Sequence, residues 1–76
     1  MITVKLYGLL RLESGIKEKR LEADSVKAVL DALAACGIDR KDLSNCLILV
    51  NGNNAAKKSK LTDGDTVVLM PPVAGG

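Results

Sequence analysis

Polar and apolar residues alternate from the start of the chain: Ile2, Val4 and Leu6 fall on one side, Thr3, Lys5 and Tyr7 on the other. A period of two predicts a strand with one buried face. Gly8 to Gly15 follows as a loop, made unusually apolar by Leu9, Leu10 and Leu12. Lys17 to Glu22 is short and charged, and it reads as an edge strand pairing back on the first. Its lysines and glutamates discourage further strand addition. Asp24-Ser25 then offers N-cap oxygens ahead of Val26, Val29, Leu30 and Leu33, which recur at helical spacing. Ala34 shares that face, while Lys27 and Asp31 lie off it. Gly37 stands where a left-handed residue closes a helix, and Ile38 can pack back on the last turn. The prediction is one amphipathic helix of about three turns.

Asp39 to Asn45 is polar and reads as a loop. Leu47-Ile48-Leu49-Val50 is a continuous apolar run, the pattern of a strand buried on both sides. Asn51-Gly52 predicts a two-residue hairpin, with Asn53 to Ala56 as a weak return strand. Asp63-Gly64 marks a further turn before a β-branched, apolar strand at Thr66 to Met70. Pro71-Pro72 ends that strand, because neither proline can donate a ladder hydrogen bond. One helix covers only one face of such a sheet, so the expected class is an α+β two-layer domain.

Composition narrows the function. Seventy-six residues make one domain with one modest core, and with no Phe, no Trp and a single Tyr that core is aliphatic. Eleven Lys plus Arg against nine Asp plus Glu leave a net charge of +2. Without aromatic stacking platforms or a dominant basic field, a nucleic-acid role is disfavoured. There is no His, and Cys36 and Cys46 form no CxxC, so no resident metal is expected. The two thiols read as small buried residues of a reducing compartment. No signal-peptide pattern or membrane-length apolar run is present, and the expectation is a cytoplasmic protein.

The sharpest feature is the end of the chain. Residues 1–70 read as the folded domain and 71–76 as a projecting tail, Pro71-Pro72-Val73-Ala74-Gly75-Gly76. The prolines favour a stiff exit, and six extended residues reach on the order of 20 Å. Gly75 and Gly76 can pass through a channel too narrow for a Cβ. A terminal carboxylate has a pKa of ~3.5, stays ionised and needs activation before it accepts sulfur or an amine. The sequence has no phosphate-cradling loop and no His base to supply that activation. The chain is therefore expected to be a substrate or carrier, not an enzyme. From these residues alone, a simple frayed end remains the competing reading.

Leu61-Thr62-Asp63-Gly64-Asp65-Thr66-Val67 followed by Pro71-Pro72-Val73-Ala74-Gly75-Gly76 resembles the C-terminal signature of ubiquitin-like sulfur carriers. Within that family the chain looks like the small subunit of molybdopterin synthase, and Val50-Asn51-Gly52 matches the hairpin that precedes the signature. The resemblance implies a β-grasp fold: a mixed four- to five-stranded sheet with one helix on one face. It also implies a reaction path. An adenylyltransferase related to ubiquitin-activating enzymes uses ATP to convert the Gly76 carboxylate to an acyl-adenylate. A persulfide donor then leaves a thiocarboxylate on Gly76. Residues Pro71, Pro72, Val73, Ala74 and Gly75 thread the tail into the activating enzyme and into the large synthase subunit, which builds the dithiolene. Carriers of thiamine synthesis or another sulfur pathway, and ubiquitin-like modifiers joined to lysine, are the alternatives.

Val68 and Met70 point opposite to Val67 and Leu69, yet both pairs are apolar, so one pair belongs to the sheet face without the helix. That pair, joined by Leu9 or Leu10, forms a candidate docking patch, with Arg11 as a charged neighbour. Residues covered by loops or scattered singly are the alternative. Arg11, Lys57, Lys58 and Lys60 either steer an acidic partner or are simply solvated.

Overall fold

The computed structural model describes residues 1–71. The chain forms β1 (Ile2–Leu6), α1 (Gly8–Ser14), β2 (Glu18–Leu21), α2 (Val26–Ala35), α3 (Arg40–Asn45), β3 (Leu47–Val50), β4 (Asn53–Asn54) and β5 (Thr66–Met70). The strands make one mixed sheet in the order β2-β1-β5-β3-β4. Among the described residues only β1 and β5 pair in parallel, from Thr3 opposite Thr66 to Leu6 opposite Leu69. Antiparallel β2 and β3 flank them, and β4 completes the Asn51-Gly52 hairpin, where both turn residues adopt positive φ.

The predicted period of two is realised on the central strands. Ile2, Val4 and Leu6 of β1 and Val67 and Leu69 of β5 are buried, together with Ile48 of β3. Against them α2 lays Val26, Val29, Leu30 and Leu33, its expected apolar stripe. Ser25 caps α2 by accepting from the Ala28 N–H at 3.2 Å. At the other end the Ile38 N–H reaches the Leu33 carbonyl and the Gly37 N–H the Ala34 carbonyl. That is a Schellman pair, and it requires the left-handed φ of 102° seen at Gly37.

Three expectations are corrected. Gly8 to Gly15 is not a loop: Gly8–Ser14 is helical, with only Leu10 buried and Gly15 left-handed at its end. Asp39 to Asn45 is not a loop either. The Asp39 carboxylate accepts from the Lys41 N–H at 2.8 Å and starts α3, whose Leu43 enters the core. Among the described residues the sheet is therefore accompanied by three helices rather than one. Nor is β3 buried on both sides, since Leu47 is 46% exposed and Leu49 and Val50 are half-buried. Its unbroken apolar run reflects a sheet face without a helix.

Leu33 is fully buried in this core. Leu33→Ala removes a side chain from close-packed surroundings, and cavity formation adds to the lost transfer energy. The expected loss is about 2–5 kcal/mol, a fall of roughly 10 °C or more in Tm for a domain this small. Thermal melts followed by circular dichroism check this.

Candidate functional site

The last strand reaches its end by pairing on both sides. Lys5 and Leu49 lie directly opposite Val68, and Leu47 lies opposite Met70. Since alternate residues face opposite ways, Thr66, Val68 and Met70 share the sheet face that carries no α2, with Leu47 and Leu49 beside them. Val68 and Met70 are half-buried there, and Tyr7, which continues the same alternation just past β1, is 43% exposed. Charged Lys5, Glu18 and Arg20 continue the face toward β2. An apolar strip thus runs along β5 to the point where the chain leaves the sheet.

The start of β5 is set by a polar clamp. The Asp65 carboxylate accepts from the Thr62 N–H and from the Asn51 amide, each at 2.9 Å. The Asn51 side-chain oxygen in turn accepts from the Thr66 N–H at 3.0 Å. Asn51 thereby ties the β3–β4 hairpin to the turn preceding β5. Donation from the Thr62 backbone, and then from Asn51, holds the Asp65 carboxyl below the usual carboxylate range.

The other residues singled out in the sequence fall in different places. Leu9 is 61% exposed on α1 and shares a groove of about 230 Å³ with Leu10, Glu13, Asp42, Asn45 and Pro71. Leu10 turns into the core, so of the two it is Leu9 that remains available on the surface. Leu12, one turn on from Leu9, is exposed as well, a feature that reading residues 8–15 as a loop missed. Arg11 lies instead in a small depression with Lys5, Tyr7, Lys17 and Glu18. Leu9 and Arg11 therefore occupy different surfaces around α1 and do not share one patch.

Lys57, Lys58 and Lys60 are exposed. Their segment has a backbone role: the Lys57 and Ser59 carbonyls accept from the Lys27 and Val26 N–H groups, closing the first turn of α2. The expectation of two buried cysteines is corrected. Cys36 is exposed at the end of α2, with the Lys19 ammonium 3.0 Å from its sulfur. Cys46 is half-buried and donates to the Leu43 carbonyl at 2.9 Å, and burial pushes its thiol pKa up. Among the described residues no group of His, Cys, Asp and Glu could hold a metal, and no helix is long and apolar enough to cross a membrane. Pro71 is described and half-buried; Pro72, Val73, Ala74, Gly75 and Gly76 lie outside the described residues.

Comparison with known proteins bears on the whole of this arrangement. A family model described as the ThiS family matches residues 4–76. Among solved structures, the chain is similar to small archaeal modifier protein 1 from Haloferax volcanii. The two are 27% identical over 99% of this chain and 98% of that one, with a TM-score of 0.81. It is also similar to a chain in the complex of subunits 1 and 2 of the molybdopterin-converting factor from Helicobacter pylori. That match is 25% identical, covers 99% and 97% of the two chains, and has a TM-score of 0.76. CysO from Mycobacterium tuberculosis matches at 25% identity over 96% of this chain and 100% of that one, TM-score 0.80. No curated protein matches in sequence. The fold is the ubiquitin-like β-grasp.

The Asp65 clamp makes a pH prediction. Its carboxyl is ionised more readily in the folded chain than in the unfolded one, where the pKa is ~3.9. Its contribution is therefore complete above that value and is lost as pH falls through the lower folded pKa. In Tm-against-pH curves, Asp65→Asn should lower Tm at neutral pH and flatten the acid limb below about pH 4. Curves that stay parallel to the wild type through that limb would count against the clamp.

Proposed function

This chain belongs to the ThiS family of ubiquitin-like sulfur carriers, and we propose that its own working group is the carboxylate of Gly76. The observation that carries the reading is the family match, which runs unbroken through the Gly75-Gly76 end. The β-grasp domain supports it by ending its central strand at Met70, so that the chain leaves the sheet directly into Pro71-Pro72.

The chemistry follows from what a carboxylate lacks. The Gly76 carboxylate attacks the α-phosphorus of ATP on an adenylyltransferase related to ubiquitin-activating enzymes. An acyl-adenylate forms and pyrophosphate leaves. A persulfide on a donor protein then attacks the acyl carbon and expels AMP. A thiol splits the resulting acyl disulfide, so that Gly76 keeps the terminal sulfur as a thiocarboxylate and the donor becomes a disulfide. The carrier supplies no acid, base or metal in these steps. It supplies a reach of residues 71–76, threaded through Val73, Ala74 and Gly75, and a surface that docks. ATP is used by the partner, and no cofactor is bound by the carrier itself.

For the acceptor we favour the large subunit of molybdopterin synthase. The Pro71-Pro72 exit motif supports that branch, as does the likeness to a chain in the molybdopterin-converting factor complex. A second reading, conjugation to lysine as a protein modifier, draws on the comparable likeness to small archaeal modifier protein 1. Both readings share the activation step.

Docking is assigned to the strip containing Val68 and Met70, with Leu9 and Arg11 flanking the tail root. With an activating enzyme of this class and ATP, AMP release should require Gly76 and disappear when that residue is deleted. Val68→Lys with Met70→Lys places two charges on the strip and should raise KM at least about tenfold without unfolding the domain. A folded double variant activated at wild-type KM contradicts the docking assignment.

A further inference from the structure

Among the described residues five glycines adopt left-handed backbone, with φ of 61° at Gly8, 73° at Gly15, 102° at Gly37, 85° at Gly52 and 92° at Gly64. At four of them a Cβ would meet nothing within 4 Å, so the turn itself accounts for the residue. Gly8 differs. A Cβ there would lie 2.6 Å from Cγ and 3.0 Å from Cδ of Pro71, closer than side chains approach one another. The structure thus needs glycine at position 8 for space as well as for backbone angle, and the space is taken by the first residue of the tail.

The two partners in this contact are unequally held. Gly8 follows β1, whose last residues are fixed in the sheet centre, and the Tyr7 N–H donates to the Leu69 carbonyl at 3.1 Å. Pro71 lies one residue beyond the last ladder pair, Leu47 opposite Met70, and has no N–H to offer the sheet. It also lines the open groove with Leu9, Leu10, Asp42 and Asn45, which leaves room for it to shift. Added bulk at Gly8 is therefore relieved at Pro71.

We infer that Gly8 is a positioning residue for the tail: by letting its backbone touch the Pro71 ring, it sets the direction in which residues 72–76 leave the sheet. Because the ring locks φ at Pro71, displacing it changes the angle at which the chain continues from that residue. Misplacement by about 1 Å is already enough to cost a reaction heavily. The consequence for activation rests on the carrier reading above; the tail direction does not.

A nitroxide on Ala74→Cys, in a Cys36→Ser, Cys46→Ser background, reads that direction from which backbone amides it broadens. Gly8→Ala should move the broadened set to a different sector around Pro71. Gly8→Asn should do the same while tolerating positive φ, and it serves if the alanine variant folds poorly. With Pro71→Ala also present, the difference between glycine and the larger residue at position 8 should vanish, which a general loss of stability would not produce. In the AMP-release assay, Gly8→Asn should lower kcat about tenfold with KM changed less than about threefold. An unchanged amide pattern in both position-8 variants overturns the inference and leaves the carrier reading intact. Absence of AMP release from the unsubstituted chain does the reverse.

Discussion

The parallel pairing of β1 with β5 is the constraint on which the rest of the molecule depends. It joins the first and last strands at the centre of the sheet, and their inward residues, Ile2, Val4, Leu6, Val67 and Leu69, form the floor of the core. Because the strands run in the same direction, both exit at the same end. Leu6 pairs with Leu69, so Tyr7-Gly8 and Met70-Pro71 emerge side by side. The tail root is thus built from the two ends of one parallel pair. A parallel pair cannot be joined by a tight hairpin, and the intervening chain supplies α2 to cover one face.

That arrangement leaves the sheet with two unequal faces. One is sealed by α2, whose first turn is closed by the carbonyls of Lys57 and Ser59. On the other, Val68 and Met70 lie among Leu47, Leu49 and Tyr7 on a strip that ends where the tail begins. Burial of the inward set stabilises the domain at about 1.5–3 kcal/mol for each large side chain. Such burial does not explain apolar residues retained on the outward set, and the docking proposed above would give them a role. The Asn51–Asp65 clamp adds precision at the opposite end of β5, fixing where the strand starts.

Much of this was legible in the residues. The alternation in β1, the stripe of α2, the Asn51-Gly52 hairpin and the Gly37-Ile38 stop all follow from local periodicity and turn chemistry. What escaped were elements whose signal is not local. In Gly8–Ser14 two of three leucines face outward, so no amphipathic stripe marks the helix. In α3 a single buried residue, Leu43, leaves only the Asp39 cap as a cue. The run Leu47–Val50 mimics a strand buried on both sides because Leu47 and Leu49 are apolar although their face carries no α2. Gly8 read as an ordinary loop glycine because its neighbour Pro71 is distant in sequence. The family, by contrast, was legible almost entirely in the last sixteen residues, through the turn around Asp63-Gly64 and the Pro71-Pro72 to Gly75-Gly76 ending.

In the proposed function the division of labour is between a domain that presents a terminus and partners that act on it. The most direct test is the intact mass of the protein purified from its native cell under non-reducing, acid-quenched conditions. A sulfur-for-oxygen shift confined to the C-terminal peptide containing Gly76 is the predicted result. A chain found only as the free carboxylate or in isopeptide conjugates, under conditions where the sulfur pathway is active, would contradict the account.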